Sequence, residues 1–313
     1  MGEIGNRVSR RNDGGPVTPS GPRDLAGISP ITWAVLIGPA LLPAVDRAED
    51  ASVGAYLLGL LDSFGTISSL VLDSLVVTVT SVIRGRFAWR EFLDQCWMLI
   101  SVSFLPTIFI AVPFGAVIVL EVGGLASQVG ATSFTGAVDA LTTVREVAPI
   151  VTALILSGAG GSAICADLGS RTIRDEISAM EVMGVSPVER LVAPRLLAGV
   201  IVAVLLNGIV AFAGLLAAYA ADVYILKGTS GGYLEAFSSF AQGADVIEST
   251  LKAFLFGFVA CVLACFKGLN ARRGPVGVGL AVNQSVVVTG LALFTLDLVL
   301  TQIFLVIVPL KVP

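Results

Sequence analysis

Long stretches without Asp, Glu, Lys or Arg recur along this chain. Trp97–Leu120, Val147–Ala166 and Leu196–Ala221 are free of such residues, and Val276–Leu310 is interrupted only by Asp297. A weaker run, Leu251–Phe266, carries Lys252 near its start. About 20 apolar residues cross the hydrocarbon core of a bilayer as a helix. The pattern therefore predicts five transmembrane helices, the last long enough to cross with tilt.

The segments between the runs are as informative as the runs. Ser170–Arg195, between the second and third, is polar and charged and is patterned as a helix. Thr172 followed by Asp175 fits a capping box, and Ile173, Ile177, Met180 and Gly184 share one face. Arg174, Asp175, Ser178 and Glu181 lie opposite, and Gly184 with Pro187 forms a stop signal. The product is a short amphipathic helix across the mouth of two spans. Its acidic residues Asp175, Glu176 and Glu181 disfavour simple rest on anionic lipid, so a protein partner is expected there. Arg174, Asp175, Ile177, Met180, Glu181, Met183 and Gly184 are the candidate docking residues.

Before the first span, residues 1–50 read as a flexible extension: the first 29 are rich in Gly, Pro, Ser and Arg, with little to bury. Ile31–Val45 is short and broken by Pro39 and Pro43. It reads as a membrane-surface segment rather than a cleaved signal. Residues 51–90 read as an amphipathic helix lying in the interface. Asp62, Thr66, Ser69, Asp73, Thr80 and Arg84 fall near one face, and a sixth span would place Asp73 in mid-bilayer at about 2.5–3.5 kcal/mol. Residues 91–313 form the transmembrane domain.

Composition supports the membrane class, with 55% hydrophobic and 13% charged residues, against about 25% charged in soluble domains. Charge then orients the chain. Five spans starting from a cytoplasmic N-terminus put 15 of the 19 basic residues on the cytoplasmic side, leaving Arg145, Lys227, Lys252 and Lys311 elsewhere. The expected topology is N-terminus inside and C-terminus outside.

Residue types exclude several chemistries. The chain has no histidine, so it has no His-assisted triad and no histidine metal site. Cys96, Cys165, Cys261 and Cys265 lie in or beside apolar runs and read as packing residues. There is no G-x-x-x-x-G-K-[ST], hence no P-loop. No catalytic residue, metal site or cofactor is expected in this chain. The glycine-rich SGAGGSA (Ser157–Ala163) instead offers two small-xxx-small pairs, Ser157/Gly161 and Gly158/Ser162, for close packing of span 2 against a neighbouring span or, as the alternative, for a seam of a permease dimer or the lining of a path.

Two intramembrane charges need partners. Lys252 enters the fourth span from outside and Asp297 lies within the fifth at comparable depth. They are expected to form an ion pair, mainly structural, with a direct role in transport as the alternative. On that reading, reversing both charges restores assembly lost in either single variant.

Arg145–Arg195 (REVAPIVTALILSGAGGSAICADLGSRTIRDEISAMEVMGVSPVERLVAPR) resembles the signature of the MlaE/YrbE permeases, the membrane subunits of lipid-transporting ABC systems that work with Mce-domain proteins. WREFLDQCW (Trp89–Trp97), FKGLNARRGPVGVGLAVNQSVV (Phe266–Val287) and LDLVLT (Leu296–Thr301) extend the resemblance over about residues 55–310. The chain is most similar to the A-type permeases of actinobacterial Mce operons. The resemblance implies an all-α integral membrane protein with an N-terminal interfacial helix, five spans, and a cytoplasmic coupling helix between spans 2 and 3. It implies a plasma-membrane complex containing an ABC ATPase dimer that binds ATP and Mg, a second permease of B type forming a heterodimer, Mce proteins at the outer face and a lipid substrate. No nucleic acid is implied. It also makes Arg145, Glu146 and Pro149 candidates for contact with a lipid headgroup or the Mce proteins. Pro106, Pro113 and Pro149 are sites where the first two spans are expected to bend, and spans 1, 2 and 5 supply the expected apolar walls of the pocket. Two rival readings stand beside this one: a secondary transporter of a hydrophobic substrate, disfavoured by the odd number of spans and scarce buried charge, and a non-transporting membrane scaffold.

Overall fold

The computed structural model describes residues 88–128, 130 and 135–307. The flexible extension (1–50) and nearly all of the interfacial helix (51–90) lie outside the described residues. Trp89 and Arg90, at the end of that helix as read from sequence, belong instead to the first membrane helix.

Among the described residues the protein is all helical: α1 (Trp89–Gln128), α2 (Thr135–Ile173), α3 (Glu176–Val182), α4 (Val188–Tyr224), α5 (Ser230–Phe240), α6 (Gly243–Leu269) and α7 (Pro275–Ile307). Helices α1, α2, α4, α6 and α7 are long and apolar enough to cross a membrane. The chain is an all-α integral membrane protein. These helices outrun the charge-free stretches of the sequence. At about 1.5 Å per residue, α1 is ~60 Å long, twice the ~30 Å hydrocarbon core, so its charged first turns project beyond the lipid. Arg90, Arg171, Arg174, Arg190, Arg272 and Arg273 gather at one end of the bundle, called the basic end below. Helix α5 and the start of α6 mark the far end.

Helix α2 is the hub and touches α1, α4, α6 and α7. Helix α1 packs chiefly on α4 and buries one face, a ladder at four-residue spacing: Gln95, Leu99, Ser103, Thr107, Ala111, Gly115, Val119 and Gly123 are all buried. Most rungs are small, which lets the backbones approach where lipid supplies no hydrophobic drive for association. The approach is tightest at Gly115, where an added Cβ would lie 2.2 Å from the carbonyl oxygen of Gly214. The glycine-rich SGAGGSA segment behaves differently. A π-helical turn at Leu156–Gly160 shifts its register. Ser157 and Gly161 are buried, and Gly160 faces Leu99 and Ser103 of α1, whereas a Cβ on Gly158 would meet nothing within 4 Å. Ser162 is half-buried and its hydroxyl turns back to the Ala159 carbonyl at 3.0 Å. Of the two pairs, Ser157/Gly161 is thus buried within the chain, while Gly158 and Ser162 are only half-buried.

Two further π-helical turns, Thr143–Val147 and Val188–Val192, each end two residues before a proline, Pro149 and Pro194. A proline removes the bond to the carbonyl four residues back and crowds that carbonyl. A wider preceding turn relieves both problems. Pro106 and Pro113 lie within the uninterrupted α1.

At the far end, α5 is fastened to α2 by Tyr233, whose phenol donates to the buried carboxylate of Asp139. Thr143 donates to the same carboxylate at 2.5 Å. Burial, reinforced by that carboxylate, pushes the phenol upward, so it remains a proton donor.

Gly115→Ala forces α1 away from α4 and is expected to cost about 1–3 kcal/mol, read as a lower thermal midpoint of the detergent-purified protein. Gly208→Ala serves as the comparison, because a Cβ there meets nothing within 4 Å. It should leave the midpoint unchanged or raise it through better helix propensity.

Candidate functional site

Toward the far end, the polar residues on α2, α6 and α7 converge in one buried network. Helix α6 presents Asp245, Glu248, Ser249 and Lys252 at i, i+3, i+4 and i+7, one helical face, and all four are buried. Asp245 is fixed first, because its carboxylate accepts the Gln242 N–H at 3.1 Å in the capping box that starts α6. It also receives Arg145 from α2. Arg145 Nε lies 3.3 Å from Glu248, and the guanidinium sits 5.6 Å from the centroid of the Phe304 ring of α7.

Lys252 is the centre of the network. Its side chain is 1% exposed, and Nζ lies 3.2 Å from Glu146, 3.2 Å from Glu248 and 3.4 Å from Asp297. Nζ also donates to Thr301 Oγ1 at 2.8 Å and to the Arg145 carbonyl at 3.2 Å. That carbonyl is the one Pro149, without an N–H, cannot bond in the usual helical pattern. The proline and the lysine are thus linked: the first leaves an acceptor free and the second uses it. Thr301 in turn donates to Glu146 at 3.3 Å.

Arg145, Glu146, Lys252 and Asp297, which the sequence suggests as two separate pairs, therefore meet in one place. Adjacent Arg145 and Glu146 do point to different partners, Asp245 and Glu248 for the first and Lys252 and Thr301 for the second, and the Lys252–Glu248 pair joins the two sets. Asp245, Glu248 and Thr301 were not anticipated. The signal for Asp245 and Glu248 is their i, i+3 spacing with Lys252 at i+7 on α6, hidden when spans are sought as charge-free runs, because that search starts α6 at Leu251 and discards its charged first turns. Beside the network, Pro113, Phe114, Val117 and Ile118 of α1 with Val147, Ile150 and Val151 of α2 line a wholly apolar cavity of about 340 Å³. Its lining comes from spans 1 and 2; span 5, also expected as a wall, contributes no residue to it.

At the basic end, α3 stands between α2 and α4. The predicted capping box does not form. Helix α2 continues through Ile173, so Thr172 is in its last turn, where its hydroxyl donates to Leu168 O at 2.9 Å and Gly268 O at 3.3 Å. The helix breaks at Arg174–Asp175, with Asp175 left-handed at φ 55°, and restarts at Glu176 without a side-chain cap. The apolar face of α2 extends past the charge-free run, so the chain stays helical where the sequence pattern suggests a fresh start. The predicted stop does form. Gly184 has φ +75°, its N–H bonds Glu181 O at 3.0 Å, and Val185 N–H bonds Met180 O at 2.9 Å, a Schellman ending.

Ile177 and Met180 pack inward against the core. Arg174 pairs with Glu176 at 2.8 Å and Asp175 with Arg273 at 3.6 Å, all on the surface. Glu181 is exposed, as are Val182 and Met183 at 89% and 70%. Val182 was not anticipated. Two bare apolar side chains ringed by charge at a polar end form a surface suited to a protein partner.

A multi-span helical protein with a buried polar network near one end, an apolar cavity beside it and a short amphipathic helix exposed at the other belongs to the class of membrane transport subunits. The sequence pattern of the family described as Permease MlaE matches residues 92–303, and the chain belongs to that family of ABC transporter permeases. A probable ABC transporter permease of Rickettsia bellii is 27% identical over 254 residues, covering 81% of this chain and 96% of the relative. The intermembrane phospholipid transport system permease protein MlaE of Haemophilus influenzae is 31% identical over 169 residues, 54% of this chain and 65% of the relative. The chloroplastic protein trigalactosyldiacylglycerol 1 of Arabidopsis thaliana is 25% identical over 237 residues, 72% of this chain and 65% of the relative.

Lys252→Met leaves Glu146, Glu248 and Asp297 without their shared cation and is expected to cost about 3–5 kcal/mol, read as lower yield and thermal midpoint. The structure reverses the expectation of rescue by charge reversal. Lys252→Glu with Asp297→Lys places the new carboxylate against Glu146 and Glu248, so the double variant should assemble no better than either single one.

Proposed function

We propose that this chain is the permease half of an ATP-driven lipid transporter of the plasma (inner) membrane, with α3 as the helix that docks the motor. The observation that carries the reading is α3 itself: an amphipathic helix at the basic end of an MlaE-family permease, with Ile177 and Met180 anchored inward and Glu181, Val182 and Met183 bare. The motor is a dimer of a separate ATPase, which binds ATP and Mg. This chain hydrolyses nothing; it converts closure of the motor into rearrangement of its spans. The positive-inside distribution supports a cytoplasmic basic end, N-terminus inside and C-terminus outside.

The substrate is a phospholipid or another long-chain lipid, such as a fatty or mycolic acid or a sterol. Similarity to the Haemophilus intermembrane phospholipid transport permease supports phospholipid first. Its acyl chain suits the apolar cavity beside α1 and α2, and its headgroup suits the polar network around Glu146 and Lys252. A second permease of B type would complete the pocket as a heterodimer, and Mce-domain proteins would receive or deliver lipid at the far end. The exposed apolar faces of α1 and α7, with Phe109, Phe114, Leu291 and Leu298 bare, support burial against another membrane subunit.

Glu181→Lys reverses a charge in the middle of the proposed docking face while leaving the inward face of α3 untouched. The expected outcome is loss of the co-purifying ATPase with the permease still folded, checked by affinity purification and thermal melting. Full retention of the ATPase would sink the docking role of α3.

A further inference from the structure

A second polar cluster, half-buried around one fully buried arginine, lies at the basic end, apart from the far-end network. Arg195, near the start of α4, is fully buried. Its Nη1 donates to the Leu191 carbonyl at 2.7 Å, and its Nη2 reaches Asp167 of α2 and, at 3.4 Å, Glu91 of α1. Arg171 of α2 sits beside it, 3.4 Å from Asp167 and 3.8 Å from Glu91. Gln95 of α1 donates to Glu91 at 3.2 Å. Two guanidiniums and two carboxylates form an electrically balanced quartet that ties α1, α2 and α4 together.

The position of the quartet in the chain is what gives it a role. Arg171 and Arg195 stand on either side of α3, one where the chain leaves α2 and the other where it enters α4. Helix α3 has no fully buried residue of its own, so a push on it reaches the bundle through the inward packing of Ile177 and Met180 and through those two connections. Unlinked, the end of α2 and the start of α4 would yield separately, and displacement of α3 would dissipate locally. Linked through Asp167 and Glu91, they move as one body with α1. The fork of arginine suits this duty, because one planar group bonds a backbone carbonyl and two carboxylates at once; lysine offers a single point charge.

We propose that Arg195 is a positioning residue for transport, the clasp that makes the spans flanking α3 respond together with α1 to the motor. The inference rests on the docking of a motor at α3 argued above. It predicts uncoupling: the ATPase stays bound and active while lipid movement fails.

The test compares wild type, Arg195→Lys and Glu91→Gln as permease–ATPase complexes in phosphatidylcholine–phosphatidylglycerol vesicles. Bound ATPase, ATP hydrolysis and movement of a fluorescent phospholipid are measured together. The expected result is normal ATPase retention with the ratio of lipid moved to ATP hydrolysed down about tenfold, the size of a typical coupling between sites. An unchanged ratio overturns the clasp, whether both rates persist or fall in parallel, because a merely structural defect lowers both. Should Arg195→Lys yield no complex, Glu91→Gln, at a partly exposed position, decides by the same ratio. If the fluorescent phospholipid is not moved by wild type, the distance change on trapping ATP between probes at residue 125 of α1, inside the linked group, and residue 306 of α7, outside it, replaces it. Loss of that change with hydrolysis retained supports the clasp, and its persistence overturns it. Glu181→Lys separates the two ideas: ATPase retained there defeats docking at α3, whereas docking intact with an unchanged ratio in Arg195→Lys defeats the clasp alone.

Discussion

A lysine ammonium buried among membrane helices must be neutralised within the bundle, because the hydrocarbon around it offers neither counterion nor hydrogen bond. Lys252 meets that demand by drawing on three elements at once: Glu146 and the Arg145 carbonyl from α2, Glu248 from its own helix, and Asp297 and Thr301 from α7. This requirement sets how α2, α6 and α7 stand to one another at the far end. Polar groups that would each be costly alone become the fastening of the bundle when every one has a partner.

The same constraint shapes the backbone. Membrane helices satisfy their own amides, so a proline that removes a bond must be compensated nearby. Pro149 and Pro194 both follow π-helical turns, and the carbonyl left by Pro149 is used by Lys252. Helix α2 therefore joins the two ends of the molecule in one continuous element: its first turns hold Arg145 and Glu146, and its last hold Asp167, Arg171 and Thr172. Where α1 meets α4 the solution is different. Small side chains bring the backbones close, and dispersion replaces charge as the source of cohesion.

Much of the architecture was legible because the bilayer imposes a strong rule on composition. Long runs with at most one charge located the five membrane helices among the described residues, and Gly184 marked the end of α3 because few other residues adopt its left-handed geometry at no cost. The errors had equally physical causes. Helices do not stop at the edge of the hydrocarbon, so charge-free runs cut α1 and α6 short and hid Glu91, Asp245 and Glu248. The capping box at Thr172 was locally plausible, but the apolar face of α2 kept that residue inside a helix. The small-residue ladder of α1 was written plainly at four-residue spacing, yet it was masked by the more conspicuous SGAGGSA segment, whose π turn takes Gly158 out of the intrachain contacts.

The amino-acid sequence alone determined the class of protein, the five spans among the described residues, the polar character of the segment containing α3 and the need for Lys252 and Asp297 to be paired. These follow from local composition and period, which report how each segment meets lipid or water. Only the tertiary structure decided that Lys252 serves three carboxylates, that Arg145 and Glu146 join the same network, and that Arg195 ties α4 to α1 and α2. Such groupings join residues about a hundred positions apart, such as Arg145 and Asp245. They depend on the relative rotation of packed helices, which no single segment encodes.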